Sequence, residues 1–220
     1  MLKMIVRQLL LTSSRKKKTP NPKLTRKERS SRTRIALLDS AARTVGQVGY
    51  EEAQIAAITG GAKIAHGTFY NYFESRQDLF NQLLPALGKS LLEQVRHASE
   101  EAKTDLERES KSFRAFFDFL VERPEFYRIL FEARVFCAEA YDEHMSNVSS
   151  GFVRVLDRAH KHGEIKGVSS EELEAVAFML MGAREYLAMR YARSDGQTSQ
   201  LPEWVANLYD KLVGRALYGK

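Results

Sequence analysis

Residues 58–73 read Ile58-Thr59-Gly60-Gly61-Ala62-Lys63-Ile64-Ala65-His66-Gly67-Thr68-Phe69-Tyr70-Asn71-Tyr72-Phe73. This stretch decides the fold. Apolar spacing predicts a short helix over about residues 54–59, with Ile55 and Ile58 turned inward, and a second over about residues 65–72. Gly60, Gly61 and Ala62 form a small-residue break between them. Two short helices joined by a tight turn, following a longer helix, make a helix-turn-helix. Ile55, Ile58, Ile64, Phe69 and Phe73 suit the apolar contacts that hold such a pair at a steep angle.

The pattern extends in both directions. Upstream, Ile35, Leu38, Ala42 and Val45 recur at three- and four-residue steps, predicting an amphipathic helix from Ser31 to near Gly49. Downstream, Ser75 is placed to cap a long helix, with Asp78 at its third position; Pro85 falls inside it. Helices are then expected over about residues 107–122, from Pro124 through Phe131, over 140–162, from Ser169 or Ser170 to about 193, and from Pro202 to about 217. No segment alternates with a convincing strand period. The expected class is all-α: a basic, disordered arm over 1–30, a helix-turn-helix domain over 31–76, and a helical effector-binding and dimerisation domain over 77–220.

Charge is divided unevenly along the chain. The 220 residues carry a net charge of +6, yet residues 1–34 hold twelve Lys or Arg and one acid, Glu28, whereas the rest hold 22 basic and 27 acidic groups. A basic arm on a mildly acidic body suits a polyanionic partner, nucleic acid before membrane. The single cysteine, Cys137, excludes an intramolecular disulfide and fits a reducing cytoplasm. No apolar run approaches the roughly 18 residues of a membrane span. Arg7 interrupts the apolar stretch at the start, and no small-residue cleavage site follows, so residues 1–11 read as a frayed or amphipathic end rather than a signal peptide.

The second short helix offers a reading surface. His66, Thr68, Asn71 and Tyr72 bring hydrogen-bonding groups, and Gly67 admits close backbone approach. Asn pairs both its amide groups with adenine, and the Thr methyl packs on a thymine methyl. Tyr70 and Arg76 suit phosphates, which set register without carrying sequence information directly. Beside the basic arm, this pattern exceeds what an aromatic core alone requires. Its Arg15-Lys16-Lys17-Lys18 run is suited to following phosphates or entering a minor groove.

Gly49-Tyr50, the stretch from Ile58 to Phe73 and its continuation Glu74-Ser75-Arg76-Gln77-Asp78-Leu79-Phe80 together resemble the DNA-binding signature of the tetracycline-repressor (TetR) family. The resemblance is specific over about residues 33–84; beyond them it is only an all-helical pattern of suitable length. It implies a homodimeric regulator, usually a repressor, whose second domain binds a small molecule that changes the spacing of two DNA-reading heads. It also implies double-stranded operator DNA of palindromic form as partner. By this resemblance Tyr70 and Arg76 sit at phosphate-contacting positions, and His66, Gly67, Thr68, Asn71 and Tyr72 at recognition positions. The chain departs from the pattern in having Lys63 where the family usually has Gly, and Ala65 and Gln54 where it often has Ser or Thr. Each missing cap costs about 1 kcal/mol, while Lys63 offers a phosphate contact in return.

The second domain is rich in aromatic residues. Singly they suit a core; together they suit the lining of a cavity for an apolar or amphipathic effector. The candidate effector residues are Phe113, Phe117, Tyr127, Phe131, Arg134, Phe178 and Arg184. Charges that interrupt apolar helices, such as Arg134 and Arg184, allow two readings: a structural ion pair or exposed rim, or the receptor of an anionic ligand head. From Leu173, the positions Ala177, Leu180, Arg184, Leu187 and Tyr191 share one face; Phe178, Met181, Gly182, Glu185 and Met189 lie on another. A helix apolar on several faces is buried on several sides. It is expected to pair with the last helix, carrying Trp204, Leu208, Leu212, Val213 and Leu217, in a dimer interface.

The five His residues are scattered, with no zinc spacing; no phosphate-cradling loop or nucleophile signature is present. No metal, cofactor or catalytic residue is assigned, and an enzyme is not expected. The competing readings are a DNA-binding dimer without a small-molecule effector, and a helical enzyme or carrier.

Overall fold

The computed structural model describes residues 25–194 and 197–219. Most of the basic arm, including the Arg15–Lys18 run and the apolar start, lies outside the described residues. The chain separates into Met1–Arg32 and Thr33–Lys220. In the first unit, residues 26–32 are helical rather than disordered. The reason is a capping box: the Thr25 hydroxyl accepts from the Glu28 amide at 3.2 Å, and the Glu28 carboxylate accepts from the Thr25 amide at 2.7 Å. Those two bonds start helix α1, Arg26–Glu52, five residues before the expected point.

In the second unit, α1 is followed by α2 (Ile55–Ala62), a 3-10 helix (His66–Asn71), α3 (Arg76–Ala98), α4 (Asp105–Glu122), α5 (Phe126–Phe136), α6 (Ala138–Lys161), α7 (Leu173–Leu187) and α8 (Glu203–Leu217). The starts of α3 and α4 carry hydroxyl caps. Ser75 accepts from the Asp78 amide, and Thr104 accepts from the Glu107 amide, each at 3.1 Å. Gly163, at φ 72°, lies just beyond the end of α6, in the left-handed conformation that glycine adopts without steric cost. Ser169 and Glu172 form a second capping box ahead of α7.

α3 is central and packs on α4, α5 and α6; α6 in turn packs on α7, and α4 on α8. Leu79, Leu83, Leu84 and Leu87 turn its buried face into the core, and Pro85 lies within the helix, half-buried. The all-α class holds, with one small addition. After α7 and a π turn (Ala188–Ala192), the backbone forms a two-residue antiparallel ladder, Arg193–Ser194 with Gln197–Thr198. Two residues are too few to display an alternating period, so the pattern carried no sign of it.

Candidate DNA-reading head and effector cavity

The helix-turn-helix is built as the apolar spacing demands, with its turn displaced. Ile58, Phe69 and Phe73 are fully buried, and Ile55 and Ile64 pack against them. Gly60, Gly61 and Ala62 are not the turn but the last residues of α2. Gly61 serves close packing: a Cβ there would stand 2.4 Å from Ser40 Oγ, which donates to the Ile58 carbonyl at 2.7 Å. The turn is Lys63–Ala65. Lys63 adopts φ 58°, ψ 42°, with its amide donating to the Gly60 carbonyl at 3.0 Å.

Lys63 therefore occupies a left-handed helix-capping position where glycine is favoured. Lys63→Gly is expected to raise stability by about 1 kcal/mol while weakening DNA binding through the lost charge. Paired denaturation and gel-shift titrations read both effects; a destabilised variant would contradict the strain argument. Gln54 and Ala65, the residues ahead of the two short helices, make no side-chain cap.

The 3-10 helix presents His66, Gly67, Tyr70 and Asn71 to solvent, with Thr68 and Tyr72 half-buried. Nothing stands within 4 Å of a Cβ built at Gly67, so its surface is open to a ligand's approach. Tyr70 is 54% exposed, its ring edge-on to Phe69 and His66. Arg76 is more engaged than the rest: its guanidinium donates to the Glu51 carbonyl at 3.1 Å and lies over the Phe80 ring. It thereby ties the start of α3 to the end of α1.

The second domain contains an apolar cavity of about 120 Å³, lined by residues of α3, α4, α5, α6 and α7. Leu91, Phe116, Leu130, Val148 and Phe152 supply apolar wall; Ser112, His144, Arg184 and Glu185 supply the polar groups. Of the residues put forward from sequence, Tyr127 and Arg184 line it. Phe113 and Phe117 are buried in the core of α4, and it is their neighbour Phe116 that faces the cavity. Phe131 (70% exposed), Arg134 and Phe178 (50%) point to the surface and lie outside it. His144 was missed because a lone histidine among polar neighbours carries no signal of burial.

Arg184 is not a free cation. It donates to Glu109 Oε1 at 2.7 Å, to Tyr209 Oη at 3.0 Å and to the Leu180 carbonyl at 3.1 Å. Tyr209 donates to the same Glu109 oxygen and stacks on Phe113 with centroids 3.7 Å apart. Glu109 and Arg184 are both buried, so the structural ion pair is the reading that holds. Burial pushes the Tyr209 hydroxyl well above its usual range, and it remains a hydrogen-bond donor.

His144 is 5% exposed, and burial holds it at about 4, well below the usual histidine value. Its ring fits because α3 carries Gly88 opposite: a Cβ there would fall 2.2 Å from Nδ1. A histidine lowered in the folded state leaves the unfolded chain to bind the extra proton as pH falls below 6.5, so stability is lost as pH falls from 6.5 toward 4. Between pH 6.5 and 5 the loss is about 2 kcal/mol. Denaturant titrations of the protein and of His144→Gln should show that slope only with histidine present; equal slopes would refute the assignment.

Helix α5 joins cavity to head. Phe126, Tyr127 and Leu130 line the cavity. From other faces, Arg128 donates to the Gln47 carbonyl at 2.9 Å and pairs with Glu132 at 2.6 Å; Glu132 accepts from the Tyr50 amide at 2.9 Å. Phe136 stacks on Tyr50, and Gln77 donates to the Phe136 carbonyl at 2.9 Å. Gly49, at φ 86°, brings the α1 backbone against this pair: a Cβ would stand 2.7 Å from the Arg128 guanidinium.

On α7, the π turn after it and α8, Phe178, Met179, Tyr186, Met189, Trp204, Leu208 and Leu212 are large apolar side chains left exposed. The two segments adjoin, with Tyr191 edge-on to Trp204 at 5.4 Å. A Cβ at Gly182 would meet nothing within 4 Å.

Residues 37–83 match the family profile of bacterial regulatory proteins, tetR family. Among solved structures, the fold is similar to that of a putative TetR-family transcriptional regulator from Rhodococcus sp., at TM-score 0.72 and 16% identity, covering 85% of this chain and 99% of that one. It is similar to the transcriptional regulator FadR from Bacillus subtilis, in complex with stearoyl-CoA, at TM-score 0.69 and 18% identity, covering 84% and 98%. It is also similar to AibR in complex with isovaleryl coenzyme A and operator DNA, at TM-score 0.64 and 18% identity, covering 82% and 97%. No curated protein sequence matches the chain. The match to the tetR family of bacterial regulatory proteins thus lies in residues 37–83, and the described chain has the fold of these solved regulators.

Proposed function

We propose that the protein is a dimeric, sequence-specific DNA-binding transcription regulator, a repressor released from its operator by a small apolar or amphipathic effector. The observation that carries this reading is α5, one helix with Tyr127 and Leu130 in the cavity wall and Arg128 and Glu132 on the end of α1. A ligand that shifts α5 changes what α1, and with it the reading head, rests on. The domain division follows: a basic arm, a reading head through Arg76, and an effector and dimerisation domain beyond. The head contacts DNA through Lys63, His66, Gly67, Thr68, Tyr70, Asn71, Tyr72 and Arg76. Two regulators of similar fold were solved in complex with coenzyme A thioesters, which supports a small-molecule effector here.

The exposed apolar faces of α7 and α8 are assigned to a second copy, since patches of this kind mark interaction surfaces. A dimer sets two heads on one duplex and reads a palindrome. The cavity favours an effector-responsive protein over a dimer without one, which would have a filled second domain. No helix among the described residues is long and apolar enough to cross a membrane; the proposed action on operator DNA is that of a cytoplasmic regulator rather than an enzyme. Selection of bound duplexes from a random pool should converge on a palindrome, and alanine at Tyr70 and Asn71 should weaken its binding. A pool that converges on no sequence would dispose of the reading.

A further inference from the structure

The cavity has a charge character as well as a shape. Arg184 is the only Lys or Arg among the described residues that line it. Its charge is matched inside the protein by Glu109, and three of its five N–H groups donate to Glu109, Tyr209 and Leu180. His144, the other basic group, is uncharged at neutral pH and has no hydrogen-bond partner among the described residues. Glu185 also lines the cavity and, like Leu92, is exposed in the single chain, so these two mark its open side; Glu185 shares the face of Phe178 and Met189, which is assigned above to a second copy. Glu185 has no ion-pair partner among the described residues. A ligand in the cavity therefore meets an apolar wall and one carboxylate without an ion-pair partner, Glu185, with no unmatched Lys or Arg among the described residues that line it.

We infer that the cavity selects an uncharged, largely apolar effector, bearing at most a hydroxyl or carbonyl group for Ser112 and His144, and rejects carboxylates and phosphates. Removing an anion from water is costly without a paired cation, and a like charge at the mouth adds to that cost. An apolar cavity of about 150 Å³ holds a benzene-sized molecule, so the part of the ligand enclosed in the 120 Å³ here has about five non-hydrogen atoms, and the rest of a longer ligand lies toward the open side. This inference rests on reading the cavity as the effector site. It distinguishes the protein from the similar regulators solved with coenzyme A thioesters, whose ligands carry phosphates.

Calorimetric titration of the full-length protein at neutral pH with 1-hexanol and with hexanoate compares two ligands of one chain length. Hexanol is expected to bind at least about tenfold more tightly than hexanoate. Val148→Phe, which fills the cavity, should abolish hexanol binding. Glu185→Gln, at an exposed position, should narrow the gap by raising hexanoate affinity several-fold. Hexanoate binding as tightly as hexanol, binding of neither, or hexanol binding that survives Val148→Phe would each overturn the inference. These titrations contain no DNA, so their failure is separate from failure of the duplex selection, which alone tests the regulator reading.

Discussion

Replacing Glu109 by alanine should destabilise the protein by about 3–5 kcal/mol, the cost of leaving a buried charge without its partner. Arg184 is 5% exposed and has Glu109 as its only charged partner among the described residues, while Phe113, Phe152 and Tyr209 place ring faces within 5.6 Å of its guanidinium. Rings soften the loss without supplying a counter-charge. For a chain of this size the midpoint of thermal unfolding should fall by roughly 10 °C. Removing the whole trio, with Glu109→Leu, Arg184→Met and Tyr209→Phe, should cost far less and can be neutral, because nothing charged is then left behind. A triple variant as unstable as Glu109→Ala would show that packing, and not charge, sets the value. The trio joins α4, α7 and α8, so the same experiment reports how firmly the cavity walls are held.

The second large effect is expected at the outer faces of α7 and α8. Leu212→Asp, at a position 58% exposed in the single chain, should leave the fold intact and split the dimer, since each copy would bring a carboxylate to an apolar interface. Operator affinity should then fall by about 10²–10⁴-fold, the contribution of a tethered second head. Sedimentation and gel-shift titration of one preparation check both halves. Retention of the dimer with parental affinity would move the interface elsewhere, and the exposed Phe131, Val135 and Phe136 of α5 would be the next surface to test.

The reading head was legible because its signals are local. Spacing of Ile58, Phe69 and Phe73 placed two short helices, and Ser75 with Asp78 announced the start of α3; both rest on contacts between near neighbours in sequence. Where locality failed, the reading slipped. Gly60 and Gly61 looked like a turn because glycine usually breaks a helix. They lie inside α2 because the Ser40 hydroxyl leaves no room for a side chain at Gly61, a contact across 21 positions. Thr25 and Glu28 escaped notice although their capping box is local, since the surrounding basic, proline-containing stretch outweighed two residues.

The effector cavity shows the opposite balance. Aromatic abundance suggested that a cavity existed, but its wall uses Phe116 rather than Phe113 or Phe117, a difference of helix rotation that neighbouring phenylalanines obscure. Arg184 could be read from sequence either as a ligand receptor or as half of an ion pair. Its partner, Glu109, is 75 positions away, and only packing of α7 against α4 decides between the two. The sequence by itself determined the all-helical class, the reading head and the apolar faces of the last two helices, because periodicity and capping act within a few residues. The tertiary structure alone decided which groups enclose the cavity, which charge is already matched, and how α5 links that cavity to α1, because each depends on residues far apart in the chain brought within a few ångströms.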